Sequence, residues 1–145
     1  MRFLLDTAVL AETRRSRPNP DLMRWLGAQT PDLLAVSAIS LMEMQRDLAA
    51  ARRRDHELAP LVERWLATLQ SVYADRILDI DRAVALRWGH MAGEAGRATP
   101  DLAVAATAHV HRLVVATRKA DDFLRAGVPV LNPFQPHPQI VRPRV

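Results

Sequence analysis

Short apolar runs alternate along this chain with longer stretches whose apolar residues recur every three or four positions. The short runs are Arg2–Leu5, Leu33–Val36, Ile77–Ile80, Leu113–Thr117 and Val128–Leu131. Each is too brief for a helix, and such runs predict strands buried on both faces of a parallel sheet. Between them, Leu58, Leu61, Val62, Trp65, Leu66 and Leu69 make a stripe at helical spacing. Asn19 before Pro20, and Thr99 before Pro100, each place a capping side chain ahead of a proline at the first helical position. Asp81 is a third cap, with Val84, Trp88 and Met91 on one side of its helix. Ala105, Ala106 and Ala108 are small and let the Thr99 helix pack closely. Strand and helix in turn, joined by right-handed crossovers, predict a three-layer α/β domain. Past Asn132 the pattern stops. Pro133, Pro136, Pro138 and Pro143 are four of the ten prolines. Residues 137–145 are expected to form an extended Pro- and Arg-containing tail on a domain spanning residues 1–136.

Composition narrows the chemistry. At 145 residues the chain is one domain's length and buries enough surface to need no staples. It has no cysteine, which excludes disulfides, a thiol nucleophile and thiolate zinc sites. With only five glycines, it carries no P-loop, dinucleotide fingerprint or serine elbow. Net charge is +4, and Lys119 is the single lysine among 20 cationic residues. An arginine-rich surface suits phosphate recognition, and codon habit explains the same bias. The longest uncharged apolar-rich stretch, Leu33–Met42, is well short of the ~18 residues a membrane span needs. Asp6 interrupts the first apolar run before an export signal can form, so a cytoplasmic protein is expected.

The acids fall at element ends. Asp6 closes the first strand run, and Asp121 and Asp122 follow the fourth. In a parallel sheet the carboxyl ends of the strands share one edge, where ligand crevices form. Glu43, two turns into the helix after the second strand, and Asp101, in the first turn of the Thr99 helix, can reach that edge. Carboxylates gathered there repel, and a divalent cation relieves the conflict. Hard oxygen ligands select magnesium or manganese. Each acid also has a structural role open to it. Asp101 favours the helix dipole, Asp6 and Asp122 can cap or turn, and Glu43 can pair with Arg46. His109 and His111, two apart on a helix, point to different faces and make a poor metal pair. The Arg52-Arg53-Arg54 run reads as a solvated helix end, and Trp25, Trp65 and Trp88 read as core.

Four spaced segments together resemble the PIN-domain ribonucleases, in particular the VapC and FitB type of toxin from bacterial toxin–antitoxin pairs. They are Phe-Leu-Leu-Asp6-Thr7, Val-Ser-Ala-Ile-Ser40-Leu-Met-Glu43, Pro-Asp101-Leu-Ala-Val-Ala-Ala-Thr-Ala, and Ala-Thr117-Arg118-Lys-Ala-Asp-Asp122-Phe123. The resemblance runs from Met1 to about Pro136 and ends in Gly127-Val-Pro-Val-Leu-Asn-Pro-Phe. It implies a five-stranded parallel sheet of order 3-2-1-4-5 and a magnesium- or manganese-dependent endoribonuclease acting on RNA. Asp6, Glu43, Asp101 and Asp122 match the family's acidic site, with Asp6, Asp101 and Asp122 as metal ligands. Thr7 and Thr117 match its supporting hydroxyls. A homodimer and a VapB-like antitoxin partner are implied as well. Three positions depart from the family pattern: Ala8 and Lys119 stand where asparagine is usual, and Asp47 where glycine is common. Lys119 and Asp47 favour a rival reading, a catalytically degenerate PIN fold that binds RNA or protein only. A phosphate-accepting signalling receiver fits less well, because Asp6 stands alone at its strand end.

Overall fold

A computed structural model of the chain describes residues 1–144. In chain order its strands are β1 (Phe3–Leu5), β2 (Leu34–Ser37), β3 (Ile77–Leu78), β4 (Val114–Ala116), β5 (Val130–Leu131) and β6 (Ile140–Val141). Its helices are α1 (Thr7–Thr13), α2 (Pro20–Ala28), α3 (Ala38–Arg54), α4 (Leu58–Val72), α5 (Arg82–Ala95), α6 (Pro100–His111) and α7 (Ala120–Arg125). Three capping expectations hold. Leu22 N–H donates to the Asn19 side chain, Val84 N–H to Asp81, and Leu102 N–H to the Thr99 hydroxyl. Each takes up a backbone donor that the first helical turn leaves unpaired.

The sheet order is β3-β2-β1-β4-β5-β6. The first five strands are mutually parallel, in the order the resemblance implies. A sixth strand corrects the expected count: β6 pairs antiparallel with β5, Ile140 opposite Leu131 and Val141 opposite Val130. The tail is extended there, but it is tied down. Without it β5 would offer an unpaired edge, and Ile140 also packs against the core. Pro138 and Pro143 flank the paired residues, so no ladder donor is lost. Val145, the last residue of the expected tail, lies outside the described residues.

Alternation along the strands sends side chains into two cores. Phe3, Leu5, Val36, Ala116 and Leu131 face one side and pack with residues of α1, α2, α3 and α4. Leu4, Ala35, Val115 and Val130 face the other and pack with α5, α6 and α7. The α6 residues Ala103, Val104, Ala105, Ala106 and Ala108 are all buried, so small side chains bring this helix close to the sheet. The tryptophans belong to the packing, as expected. Trp25 sits edge-on to Phe3 at 5.0 Å, and Trp65 and Trp88 are partly buried against the two cores. Arg52, Arg53 and Arg54 form the exposed last turn of α3.

Candidate active site at the carboxyl edge of the sheet

β1 and β4 are neighbours, yet the chain leaves them toward opposite sides of the sheet. A crevice opens beyond the carboxyl ends of such a pair. Leu5 is paired with Ala116, so the next residues, Asp6 and Thr117, enter the crevice side by side. Asp6 N–H donates to the Ala116 carbonyl at 3.0 Å. The Thr117 hydroxyl donates to the Asp6 carboxylate at 2.8 Å and accepts from Lys119 N–H at 2.9 Å. Asp6 is only 1% exposed. It occupies the N-cap position of α1 but makes no side-chain capping bond. Burial lifts its pKa above the ordinary 3.8 and the charge of Asp101 adds to the rise, while the Thr117 hydrogen bond and the Lys119 charge oppose it.

Glu43 comes from α3, whose start is fixed by Ile39 N–H donating to the Ser37 hydroxyl. Ser40 and Glu43 are three apart and share a helix face. Both meet Thr7, the first residue of α1. The Thr7 hydroxyl donates to Glu43 Oε1 at 2.8 Å and lies 2.7 Å from the Ser40 hydroxyl. A hydroxyl has one hydrogen, so with Thr7's given to Glu43 the Ser40 hydroxyl is the donor to Thr7. The result is a directed chain from Ser40 through Thr7 to Glu43. The other oxygen of Glu43 is 4.0 Å from Arg46, so the ion pair expected as a structural role is present too.

Asp101 is delivered by the first turn of α6. Thr99 caps that turn, and its carbonyl accepts the Trp88 indole N–H at 3.1 Å, which fixes the turn against α5. The Lys119 ammonium donates to Asp101 Oδ2 at 3.1 Å. Partial burial works against the Lys119 charge. The hydrogen bond it donates to Asp101 and the negative charges of Asp101, Asp6 and Glu43 outweigh it, so its pKa lies above the usual lysine value. Three of the four sequence-selected acids thus act on one ammonium.

Asp122 stands apart. It is exposed in the first turn of α7 and pairs with Arg125 one turn on. With Asp101 it lines a cavity of about 470 Å³ bordered by Arg97 and Arg125. Among the described residues, no three histidine, aspartate or glutamate side chains stand close enough to hold a metal ion. The expected trio of direct ligands, Asp6, Asp101 and Asp122, is therefore not assembled in this arrangement. Lys119 is paired with Asp101, and Arg125 with the exposed Asp122. The donors nevertheless suit a hard cation: they are all oxygens, and Asp101 raises the pKa of Asp6 by repulsion. Magnesium is commonly held by one or two carboxylates with water completing its shell, so Asp6 and Asp101 meet that requirement without a closed cage.

Sequence reasoning did not place Ser40 in the site; its spacing of three residues before Glu43 was the available signal. It also did not find the prop beneath Thr117. Arg118 stacks over Phe134 at 3.7 Å and lies 3.9 Å from the buried carboxylate of Glu12. No local pattern announces a contact between α1, the β4–α7 turn and the tail.

The model of the PIN domain matches residues 3–128. The chain belongs to the PIN-domain family. It is 32% identical over 137 residues to Toxin FitB of Neisseria gonorrhoeae, covering 91% of this chain and 98% of that one. To the VapC ribonuclease Y4jK of Sinorhizobium fredii it is 32% identical over 144 residues, covering 92% and 99%. In three dimensions it is similar to FitAB solved bound to an IR36 DNA fragment, with TM-score 0.78 and 33% identity over 92% of this chain and 96% of that one.

Proposed function

We propose that this chain is a metal-dependent endoribonuclease, the toxin of a toxin–antitoxin pair, which hydrolyses RNA phosphodiester bonds. The observation that carries the reading is the placing of Asp6 and Asp101 at the carboxyl edge, joined there through Thr117 and Lys119. A close relative named a VapC ribonuclease and another named a toxin support it. Asp6 and Asp101 would hold magnesium or manganese, and Asp122, across the cavity, would take part only through water. When bound, the ion lowers the pKa of water and offsets charge developing on the phosphodiester. The chain's own residues do the rest. Thr117 fixes the Asp6 carboxylate through its hydroxyl. Thr7 fixes Glu43 and presents it as a proton acceptor, with Ser40 holding the Thr7 hydroxyl in that direction. Arginines around the crevice supply phosphate contacts that weaken as salt rises. The family resemblance extends the proposal to a homodimer, a VapB-like antitoxin and a cytoplasmic setting. No helix among the described residues is long and apolar enough to cross a membrane.

The test is cleavage of structured RNA by the purified chain in manganese, magnesium or EDTA, alongside Asp101→Asn. Cleavage is expected with either metal, none in EDTA, and a loss of about 100-fold or more in the variant. A second reading, a binding module without catalysis, draws on the Lys119–Asp101 ion pair at the crevice. It is the correct one if RNA binds but is cut in neither metal, whereas equal cleavage in EDTA or by Asp101→Asn would overturn the metal site.

A further inference from the structure

Lys119 is the one lysine of the chain, and its position is built from both ends. At its base, the backbone N–H is held by the Thr117 hydroxyl, which itself is bonded to Asp6. At its tip, the ammonium is bonded to Asp101. The residue therefore touches Asp101 through its ammonium and is tied to Asp6 through its backbone N–H and Thr117, the two carboxylates best placed to receive a divalent ion. Among the described residues no other cation is paired with Asp6 or Asp101: Arg46 lies toward Glu43 from α3, Arg118 turns to Phe134 and Glu12, and Arg125 pairs with Asp122.

We infer that Lys119 is a tethered counter-cation of the acidic crevice, a positioning residue that must swing off Asp101 before a divalent ion can bind there. The inference rests on the proposed metal site and adds that the chain sets the affinity of that site itself. The physical argument is competition for one set of lone pairs. Asp101 Oδ2 cannot accept the ammonium and ligate a metal in the same direction at once. The two cations also repel at close range. The pair is half in water: the Lys119 side chain is 47% exposed and that of Asp101 36%. An ion pair so exposed is weak enough to open. The device therefore tunes affinity rather than sealing the crevice. An empty crevice without Lys119 would leave Asp101 without its ion-pair partner beside the buried Asp6, so the lysine also substitutes for the ion in its absence.

The measurement is manganese binding to the whole chain, followed by the loss of free-ion electron paramagnetic resonance signal, with no RNA present. Four proteins are compared: the unaltered chain, Lys119→Met, Lys119→Arg and Asp101→Asn. Lys119→Met removes the charge and keeps the length. It is expected to bind manganese about ten-fold tighter, a difference of about 1.4 kcal/mol. Lys119→Arg, which restores the charge, is expected to return the affinity to within about three-fold of the unaltered chain. A purely structural lysine would not show this reversal. Thermal unfolding of each variant checks that all are folded. Equal affinity of Lys119→Met and the unaltered chain, with Asp101→Asn weaker than both, would overturn the inference and leave the metal site standing. Manganese binding by none of the four, or binding indifferent to Asp101→Asn, would overturn both.

Discussion

Asp6→Asn is expected to abolish RNA cleavage and, in the metal-free protein at neutral pH, to raise the melting temperature. The two effects have one cause. Asp6 sits at the end of the central strand, almost without contact with water, because β1 and β4 pair side by side and the crevice opens just beyond them. Burial lifts its pKa above 3.8, helped by the charge of Asp101. A carboxyl raised in this way contributes stability below its unfolded pKa, and that contribution is lost as pH climbs through the folded value. Above that range the ionised side chain is a net cost to the fold. Asparagine keeps the shape and still accepts the Thr117 hydroxyl, but it carries no charge to desolvate. The melting temperature in EDTA should therefore exceed that of the unaltered chain at pH 7, and the gap should close as pH falls toward 3. Activity in manganese should drop by about 100-fold or more. A variant that is inactive and also less stable at pH 7 would mean that Asp6 supports the fold and not the chemistry. Functional sites are often kept at such a cost.

Phe123→Ala is the largest expected loss of stability, about 3–5 kcal/mol by chemical denaturation. α7 has only six residues, too few to hold itself together. Phe123 is its one buried residue, 1% exposed, packed on the face of the sheet that carries Leu4, Val115 and Val130. The helix starts immediately after Lys119 and contains Asp122, so loosening it also frees the turn that holds Thr117 against Asp6. Cleavage should fall along with stability. By contrast, Leu124→Ala removes a partly buried neighbour in the same helix and should cost clearly less. Equal losses for the two would show that α7 is not anchored through Phe123.

What could be read from the chain divides along a physical line. Local signals were sufficient where the interaction is local. Asn19, Asp81 and Thr99 announce helix starts because the capping bond reaches only three residues forward. Asp6 and Asp122 fall at one edge because parallel strands share their polarity, whereas Thr117 is marked only by the family resemblance, and the pairing of Leu5 with Ala116 makes it the neighbour of Asp6. Other features depend on distant partners. Ile140–Val141 is too short to declare itself a strand, and its pairing becomes visible only once β5 supplies an open edge. The bond from Lys119 to Asp101 joins residues 18 apart through the fold of α6 against the β4–α7 turn. Asp122 is the opposite case. Its place after the fourth strand aligned it with the other acids, but Arg125, one turn later on a short helix, gives it a separate ion-pair partner.

The most direct test of the central claim, that Asp6 and Asp101 form a divalent-ion site beyond β1 and β4, is crystallographic. Crystals grown in saturating manganese would be measured at the manganese absorption edge for anomalous scattering. The expected result is a peak against the carboxylates of Asp6 and Asp101, with the Lys119 ammonium moved off Asp101. A protein fully loaded with manganese in solution that shows no peak there, or a peak only at Asp122 and off both Asp6 and Asp101, would contradict the account.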